Sequence, residues 1–583
     1  MRVLLAFCSL IITLEKGVTM DALVEWTGAL RKGFTLPVIP PGCPLPKAIT
    51  IVLGVVSDHL MQSKAVRTWL TAIPKGHDTF CPDSPVDELV NYVATQRGRV
   101  DKSNPRLNLE FIRRVIFPVL AFEREQLLIA CAQLNDVSQA ERELMHLSTR
   151  LAPALDELWV CWYRRMCIPF QSLIESEREY CTTALKELLP QFDYSVYDWA
   201  RDRVLNRRSW AEAFPAKIKV ITNILENSIC SDATIAAYLA ALHRAYACKQ
   251  LGQLETLWAA VDQAWIRISG QTRIFPVHGM ENGYEHPHCI SPEFRLIIRT
   301  PLYSELIEEV RVDTLAYAEG PYGLSESSVE LLRARLGLLD IAAFEDVARG
   351  GCCANFKIGG QVAPNRQDIL AVGGKVSLSL AGNEQMVPLY KQVLRDNCPP
   401  AVARRLVPHV TLDKMILHAC VHELWHPAGR SAETDSALGS LQGLLEEAKA
   451  THGGLIARNW KINTPKHRIE LFTIMLARIF RFTHQTVMEN HAAAHYVTEQ
   501  LVAAQTMHEA GLIGFSQTGK FTVDLTQAKL NAWFTILYQF VKSVTDAYCQ
   551  MDGGALQAIH DHVCDRSDGT FLAQLIAWTN RNG

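Results

Sequence analysis

The sequence lacks the features that would place it in a membrane, on nucleic acid or among repeat proteins. After the N-terminus it has no run of about 20 uninterrupted apolar residues, the length that a membrane span needs. Its 58 Lys and Arg against 61 Asp and Glu give a net charge of −3, without the basic excess of a nucleic-acid binder. We find no repeat of fixed period and no low-complexity tract. We therefore expect neither a nucleic-acid nor a membrane partner, and the oligomeric state stays open.

Paired cysteine spacing is also missing. The 16 cysteines are scattered, and Cys352–Cys353 is their one close pair. This pattern favours reduced, mostly buried thiols and a cytoplasmic location. The N-terminal "MRVLLAFCSLIITLEKG" has the basic start and apolar run of a secretory signal, but it has no small-residue cleavage site. We interpret residues 1–19 as an over-extended start or a leader before Met20; secretion is the alternative.

At 583 residues the chain is too long for one hydrophobic core. Apolar residues at three- and four-residue spacing predict amphipathic helices from about 47 to 270 and again from 406. Between them, short runs such as "EFRLIIRTPL", "CCANFKIGG" and "GKVSLSLAG" predict strands, interrupted by a helix over "SSVELLRARLGLLDIAAFEDVA". A late hairpin is expected at "GLIGFSQTGKFTVDL". The fold class is therefore mainly α with a smaller β part.

One stretch carries chemistry. "TLDKMILHACVHELWH" reads as a helix, on which His422 and His426, four residues apart, share a face. Glu423 follows His422 and can reach a water bound to an ion held by both imidazoles. This is the arrangement of the H-E-x-x-H zinc hydrolases. The bland alternative is a helix that happens to carry two histidines.

A zinc hydrolase needs a third protein ligand and leaves a fourth position for water. The next predicted helix places Glu446 and Glu447 about 20 residues after His426 on an otherwise apolar stretch. A solvated helix face is the alternative explanation for this acidic pair. His418 lies one turn before His422 and is either a group that orients a ligand or a half-buried helix histidine.

The sequence resembles the dipeptidyl peptidase III family, in the branch found fused to Nudix domains in plants, although it contains no Nudix box. The resemblance covers roughly residues 315 to 545. It rests on "ILHACVHELWH", "LLEEAKA", "FRFTHQTVMENHAAAHYVTEQLVAAQTMHEAGLIGF" and "GKFTVDLTQAKL", with "APNRQDILAVGGKVSLSLAGN" upstream. It implies two lobes around a cleft, with a helical zinc-carrying upper lobe and a lower lobe that contains a small β-barrel or sheet. On this basis we expect residues 20–310 to form the mostly helical part of the lower lobe. Residues 311–405 would be a mixed segment linking the lobes and lining the cleft, and 406–583 the catalytic lobe.

The resemblance also implies roles for individual residues. It makes His422, His426 and Glu447 the ligands of one zinc ion per chain, Glu423 the general base and His491 a group that stabilises the transition state. Glu446 and His418 are expected to orient the ligands. Asn365 and His495 are expected to contact substrate.

Several positions depart from the family pattern. Thr451 stands where an acidic residue usually follows the liganding glutamate by four positions, which weakens an orienting hydrogen bond. The family holds a peptide's N-terminus with two asparagines; the corresponding positions here are Val362 and Asn365, so only the second asparagine remains. The Glu-x-Tyr element aligns with Ala316 and Ala318, or with Gly323 and Ser325, and is lost in either case.

These observations predict a zinc-dependent hydrolase of a peptide or peptide-like amide. Two alternatives remain: a diverged enzyme that acts on a small non-peptide molecule, and a non-catalytic protein that retains the metal. A second histidine cluster, formed by His278, His286, His288 and Cys289, reads as a cleft-lining or surface loop rather than as a metal site.

Overall fold

The computed structural model describes most of the chain. The described residues are 20–40, 42–75, 81, 83–95, 105–171, 194–198, 203–268, 273–277, 280–282, 290–354, 359–364, 373–488 and 494–582. The segment interpreted as a leader and the cluster of His278, His286, His288 and Cys289 lie outside them. The chain divides after Val137 into two compact units. The domain boundaries expected from the resemblance remain predictions.

The first unit is helical. Its core centres on Trp26, which is fully buried, stacks on Trp69 at 4.3 Å and donates its indole N–H to the carbonyl of Val115 over 3.1 Å. Its helices are Met20–Arg31, Leu45–Gln62, Lys64–Ala72, Val86–Thr95, Pro105–Phe111 and Phe117–Ala132, with a π-helical turn at Ile112–Ile116.

The second unit contains the remaining helices and all the described strands. It begins with the long helix Gln139–Arg165, which Ser138 and Glu141 cap reciprocally. The further helices are Cys167–Gln171, Trp210–Ala213, Pro215–Glu226, Ala233–Ala247, Leu251–Ile266, Ser304–Glu319, Glu326–Leu338, Leu380–Asn397, Pro400–Leu406, Leu412–Trp425, Ala432–Leu438, Glu446–Lys461, Pro465–Phe482, Gln485–Met488, Ala494–Glu509, Gln527–Gln550, Gly553–Val563 and Phe571–Asn582. Short 3-10 turns lie at Cys352–Ala354, Val407–His409 and Gly439–Gly443.

The strands form one mixed sheet and two hairpins. They are β1 (Tyr194–Asp198), β2 (Arg203–Arg208), β3 (Ile274–Val277), β4 (Met280–Asn282), β5 (Ile290–Thr300), β6 (Leu339–Gly351), β7 (Gly360–Ala363), β8 (Gly374–Ser379), β9 (Ile513–Phe515) and β10 (Phe521–Val523). The sheet order is β3-β5-β6-β8-β7, with β4 added to β5. Strands β6 and β8 pair in parallel, and the other pairs are antiparallel. The predicted fold class, mainly α with a smaller β part, is confirmed.

The predicted helix over residues 327–348 is only half right. It ends at Leu338, and the chain continues as β6, the strand between β5 and β8. Ala342, Ala343, Phe344 and Val347 are all buried, and residues 341–344 form a short apolar run without alternation. Periodicity cannot distinguish such a strand from a buried helix. In "CCANFKIGG", Cys352–Ala354 form a 3-10 turn and the strand starts only at Gly360.

Two helices that cross closely position the candidate site. We call Leu412–Trp425 the histidine helix and Glu446–Lys461 the glutamate helix. A side-chain carbon at Gly454 would lie 2.1 Å from the carbonyl oxygen of Val421, and one at Gly453 would lie 2.0 Å from Nε1 of Trp425. The two backbones can therefore approach only because both positions are glycine. The glutamate helix packs against the histidine helix, although the short helix Ala432–Leu438 lies between them in sequence.

None of the described cysteines forms a disulfide, and most of them are buried; the sulfurs of Cys352 and Cys353 are 3.9 Å apart. Within the described part of the chain, no helix combines the length and apolarity needed to cross a membrane.

Substituting Gly454 tests the crossing of the helices. We expect Gly454→Ala to lower stability by about 1–3 kcal/mol or more, because the methyl group meets a backbone carbonyl that cannot rotate away. Denaturant unfolding should show this loss. The control is Gly252→Ala, at an exposed helical glycine with no atom within 4 Å of the added carbon, where Ala should be neutral or stabilising by up to about 1 kcal/mol. Equal stability of the two variants would contradict the interpretation.

Candidate metal centre

The histidine helix brings two imidazoles together. His422 lies in its last turn, and His426 follows the last helical residue while keeping helical backbone angles (φ −48°, ψ −45°). Their ring centroids are 4.6 Å apart, and their Nε2 atoms are 3.0 Å apart. The helix ends here because Pro427 and Gly429, the latter with a positive φ of 73°, follow directly. The predicted shared face of the two histidines is therefore present.

Glu447 completes a group of three. It lies in the first turn of the glutamate helix, and its Oε2 is 3.2 Å from Nε2 of His422 and 4.0 Å from Nε2 of His426. The Glu447 Oε2 atom is buried and makes no hydrogen bond of good geometry within the described structure. The ligand atoms of the three residues all lie within 4.8 Å of one another.

The hydrogen bonds behind the imidazoles determine which ring nitrogens carry protons. Nδ1 of His426 is 3.0 Å from Oε1 of Glu446, a carboxylate that can only accept, so Nδ1 is the donor. Nδ1 of His422 is 2.7 Å from Oγ1 of Thr451, whose single hydroxyl proton goes to Glu499. This nitrogen is therefore also the donor. In the neutral rings, both Nε2 atoms present lone pairs to each other and to a carboxylate.

Three converging lone pairs repel one another unless a cation lies between them. Zinc bound tetrahedrally at about 2.0–2.1 Å would hold its ligand atoms about 3.3 Å apart, close to the observed 3.0, 3.2 and 4.0 Å. Two imidazoles and one carboxylate are also a ligand set of catalytic zinc sites, with the fourth position left open. The residues present therefore fit a zinc ion.

Glu446 supports this group from behind. Besides His426, it contacts Nη1 of Arg430 at 3.0 Å and Nζ of Lys449 at 3.3 Å. Burial alone would raise the pKa of Glu446, but Lys449 and Arg430 outweigh it and hold the pKa well below its usual range. Lys449 also donates to the carbonyls of His426 and Ala428, so the same residue closes the end of the histidine helix. Glu446 thus contacts a candidate ligand, and its role in orienting that ligand stays a prediction.

In the absence of a metal, a proton on His422 can take the place of the cation between this imidazole and Glu447. Burial would lower the pKa of His422, but the adjacent carboxylate of Glu447, helped by Glu423, raises it to about 9. The counterpart is Glu447: burial would raise its pKa, and His422 and His426 lower it to about 2. Without a metal the pair therefore carries charges of opposite sign near neutral pH.

Glu423 lies beside this group and against the sheet. It is 8% exposed, and burial raises its pKa, although the neighbouring histidines act in the opposite direction. A side-chain carbon at Gly360, the first residue of β7, would be 3.0 Å from Oε1 of Glu423. A larger residue at this position would displace the carboxylate by a few tenths of an ångström.

Comparison with known proteins was made on sequence and on structure. No protein-family model matches the sequence, and no curated protein matches it. Two solved structures match nearly the whole chain. Dipeptidyl peptidase III from Caldithrix abyssi is 14% identical, covers 98% of this chain and 94% of its own, and has a TM-score of 0.54. The enzyme from Corallococcus sp. strain EGB is 13% identical, covers 96% and 95%, and has a TM-score of 0.49.

The chain has the dipeptidyl peptidase III fold. The resemblance inferred from the sequence motifs is therefore confirmed as a shared architecture. Since the identity to these structures is low, the chemistry must be derived from the side chains of this chain.

Of the other predicted site residues, one lies in the core, one lies near the glutamate helix, and two lie outside the described residues. His418 is buried, and its Nε2 lies 3.1 Å from Sδ of Met475 rather than against a candidate ligand. Burial, with Arg478 nearby, holds its pKa well below the usual range, so it is a neutral core histidine. The exposed ring of His495 lies beside Gly443, just before the glutamate helix. His491 and Asn365 lie outside the described residues, and their roles stay predictions.

Sequence reasoning missed Glu499. Thr451 was expected to weaken the support of a ligand, but its hydroxyl contacts His422 and passes a hydrogen bond to Glu499 over 2.9 Å. Glu499 lies in the helix Ala494–Glu509, 48 residues further along the chain. The sequence offered little signal for this role, because Thr498 and Gln500 flank Glu499 and make the segment look like an ordinary polar helix face.

A second group of metal-ligand types occurs in the sheet. Glu293, Cys352 and Cys353 are buried, with ligand atoms within 4.8 Å of one another. Arg295 donates from Nε to Oε1 of Glu293 at 2.7 Å, so a guanidinium already neutralises the carboxylate. Burial, with Cys352 adjacent, raises the pKa of the Cys353 thiol well above its usual range. These residues are less suited to a cation than the histidine group.

The charges of His422 and Glu447 predict how the metal-free protein responds to pH. The raised His422 pKa stabilises the fold fully below about pH 6.5 and loses this effect as pH rises through about 9. The lowered Glu447 pKa acts above about pH 4.5 and is lost as pH falls toward about 2. Glu447→Gln should therefore destabilise the metal-free protein on the order of 2 kcal/mol at about pH 6, and by less at about pH 10. Urea unfolding after chelation measures both values.

The control for this prediction is Glu330→Gln, at an exposed helix position. It should change stability little at either pH. A Glu447→Gln deficit that does not shrink toward alkaline pH would show that His422 and Glu447 are not a charged pair in the metal-free protein.

Proposed function

We propose that this protein is a zinc-dependent hydrolase of peptide or peptide-like amide bonds. The observation that carries the proposal is the convergence of three lone-pair atoms from His422, His426 and Glu447, with each histidine's other nitrogen committed as a donor. Structural zinc sites are closed by four protein ligands, whereas three ligands leave a position for water. A catalytic centre therefore explains this ligand set best.

A zinc ion bound there would supply Lewis-acid chemistry, lowering the pKa of water and polarising an amide carbonyl. Glu423 is the base. It follows His422 directly, so it lies beside the ion without being one of the three ligands. Its raised pKa suits a group that takes a proton from the attacking water and returns it to the leaving amine. His491 is proposed to hold the developing oxyanion.

The position of β7 supports an extended peptide as the substrate. Among the described strands β7 pairs only with β8, so no described strand occupies its other edge. Extended peptides add to such edges through main-chain hydrogen bonds. A side-chain carbon at Gly360 would lie 3.0 Å from Oε1 of Glu423, so the proposed base lies over β7, close to a peptide paired with that strand.

The peptide's free amine, by contrast, lacks an acidic partner at the aligned positions. Ala316 is exposed and Ala318 fully buried in the helix Ser304–Glu319, and neither carries a charge. In the other alignment, Gly323 has no side chain, and Ser325 Oγ caps the next helix by accepting from the backbone of Ser328. We therefore propose that the enzyme does not depend on a free N-terminus.

The metal content of purified protein tests the proposed site. Wild type should hold about one zinc per chain, as three ligands and one open position imply. His422→Ala should lose the metal, measured by elemental analysis after dialysis. Glu423→Gln is the matched control, since it alters the adjacent residue but no ligand; it should keep the metal and lose turnover. Metal retained by a His422→Ala, Glu447→Ala double variant would refute the site.

A matched pair of substrates tests the amine. We compare dipeptidyl-arylamides with a free and with an acylated N-terminus, using zinc-loaded protein and Glu423→Gln as the blank. In an enzyme that anchors the amine, acylation would weaken substrate binding by roughly 1.5–3 kcal/mol for each charged contact that it removes. We expect little difference in kcat/KM here. Release of dipeptide that strongly requires the free amine would contradict the prediction and indicate an anchor formed by other residues.

A further inference from the structure

A buried chain of polar groups runs from the candidate metal centre into the neighbouring helices. It begins at Nδ1 of His422, 2.7 Å from Oγ1 of Thr451, and continues from that hydroxyl to Oε1 of Glu499 over 2.9 Å. Arg478, in the helix Pro465–Phe482, donates from Nη2 to both oxygens of Glu499, at 2.9 and 2.8 Å. These hydrogen bonds thus connect the histidine helix to three other helices of the fold.

The hydrogen bonds in this series are donated in one direction, from His422 to Thr451 and from Thr451 to Glu499. A carboxylate can only accept, so the single hydroxyl proton of Thr451 points to Glu499. The hydroxyl oxygen is then available only as an acceptor toward the histidine, whose Nδ1 must carry the proton. The charge on Glu499 strengthens both bonds, because it polarises the hydroxyl that accepts from the imidazole. Glu499 therefore determines that Nδ1 of His422 carries the proton, which leaves the lone pair of Nε2 available to bind a metal ion.

The burial of these groups indicates a role beyond surface charge pairing. Thr451 and Glu499 are both 0% exposed. Burial alone would lower the pKa of Arg478, yet Glu499 beside it raises the pKa above its usual range, so the guanidinium stays charged. An ion pair with a fully buried carboxylate and a half-buried guanidinium is costly to form and is weak evidence of stabilisation in itself. A requirement at the site that it contacts explains its presence better.

The two candidate zinc histidines are supported in different ways. His426 donates directly to a carboxylate, Glu446, whereas His422 meets a hydroxyl and reaches its carboxylate in two steps. Metal-bound imidazoles generally donate their second nitrogen to such a partner, which raises their basicity and holds the ring in place.

We propose that Glu499 is a positioning residue for the metal, acting on His422 through the Thr451 hydroxyl. The role rests on the proposed zinc centre and adds to it a third helix, Ala494–Glu509, whose fit against the glutamate helix would control metal affinity.

Zinc affinity of four variants tests this role. Thr451→Val removes the hydroxyl but keeps both the shape of the side chain and the Glu499–Arg478 ion pair. It should weaken zinc binding by about 10- to 100-fold in competition with a chelator. Thr451→Ser keeps the hydroxyl and should stay within about threefold of wild type. Glu499→Gln should also weaken binding, and adding it to Thr451→Val should weaken binding no further.

The non-additivity of the two substitutions is the decisive readout, since an ion pair that only stabilises the fold would not produce it. Denaturant unfolding of the metal-free variants runs in parallel. If Glu499→Gln does not fold, the comparison of Thr451→Val with Thr451→Ser decides alone. Zinc affinity of Thr451→Val equal to wild type, or an equal effect of Glu499→Gln in both backgrounds, would overturn the role. Wild-type protein that binds no zinc would instead refute the proposed function and the role with it.

Discussion

The backbone of the glutamate helix lies directly on Val421 and Trp425 because Gly453 and Gly454 carry no side chains. Glu447 precedes Gly454 by seven residues, two helical turns, so both lie on the face that meets the histidine helix. Any side chain at the crossing would move that face away, and with it the carboxylate that lies 3.2 Å from His422. The candidate centre, its pKa values and its supporting hydrogen bonds all depend on this close crossing.

Two adjacent glutamates divide the electrostatic work. Glu447 turns an oxygen toward the imidazole Nε2 atoms, while Glu446 turns toward Nδ1 of His426, Arg430 and Lys449. Consecutive helix positions point about 100° apart, so one carboxylate can face the imidazole Nε2 atoms while the other faces the residues that hold His426 in place. Lys449 adds a link between the helices, since it contacts Glu446 and donates to the carbonyls of His426 and Ala428, just after the histidine helix. Charge and helix termination are thus coupled at one residue.

The sheet contributes to the site through β7. Asn383 donates to the carbonyls of Gly359 and Ser379, which holds the start of β7 against the end of β8. From there Gly360 approaches Glu423 so closely that a methyl group on this residue would lie only 3.0 Å from the carboxylate. The buried carboxyl and the terminal strand of the described sheet are thereby brought close together.

The sequence by itself determined what depends on near neighbours. Residues four apart on a helix share a face, so the pairing of His422 and His426 was readable, as was an acidic pair on the following helix. The late hairpin and the mainly helical class were also predictable, because turn residues and apolar spacing are local signals. Tertiary structure decided the rest. Strand β6 is a strand because β5 and β8 offer backbone partners on both sides, although its apolar run resembles a helix. Glu499 reaches His422 through Thr451 because two helices, 48 residues apart in sequence, pack side by side. No local pattern encodes such a contact, since its energy arises only when distant segments bury one another's polar groups.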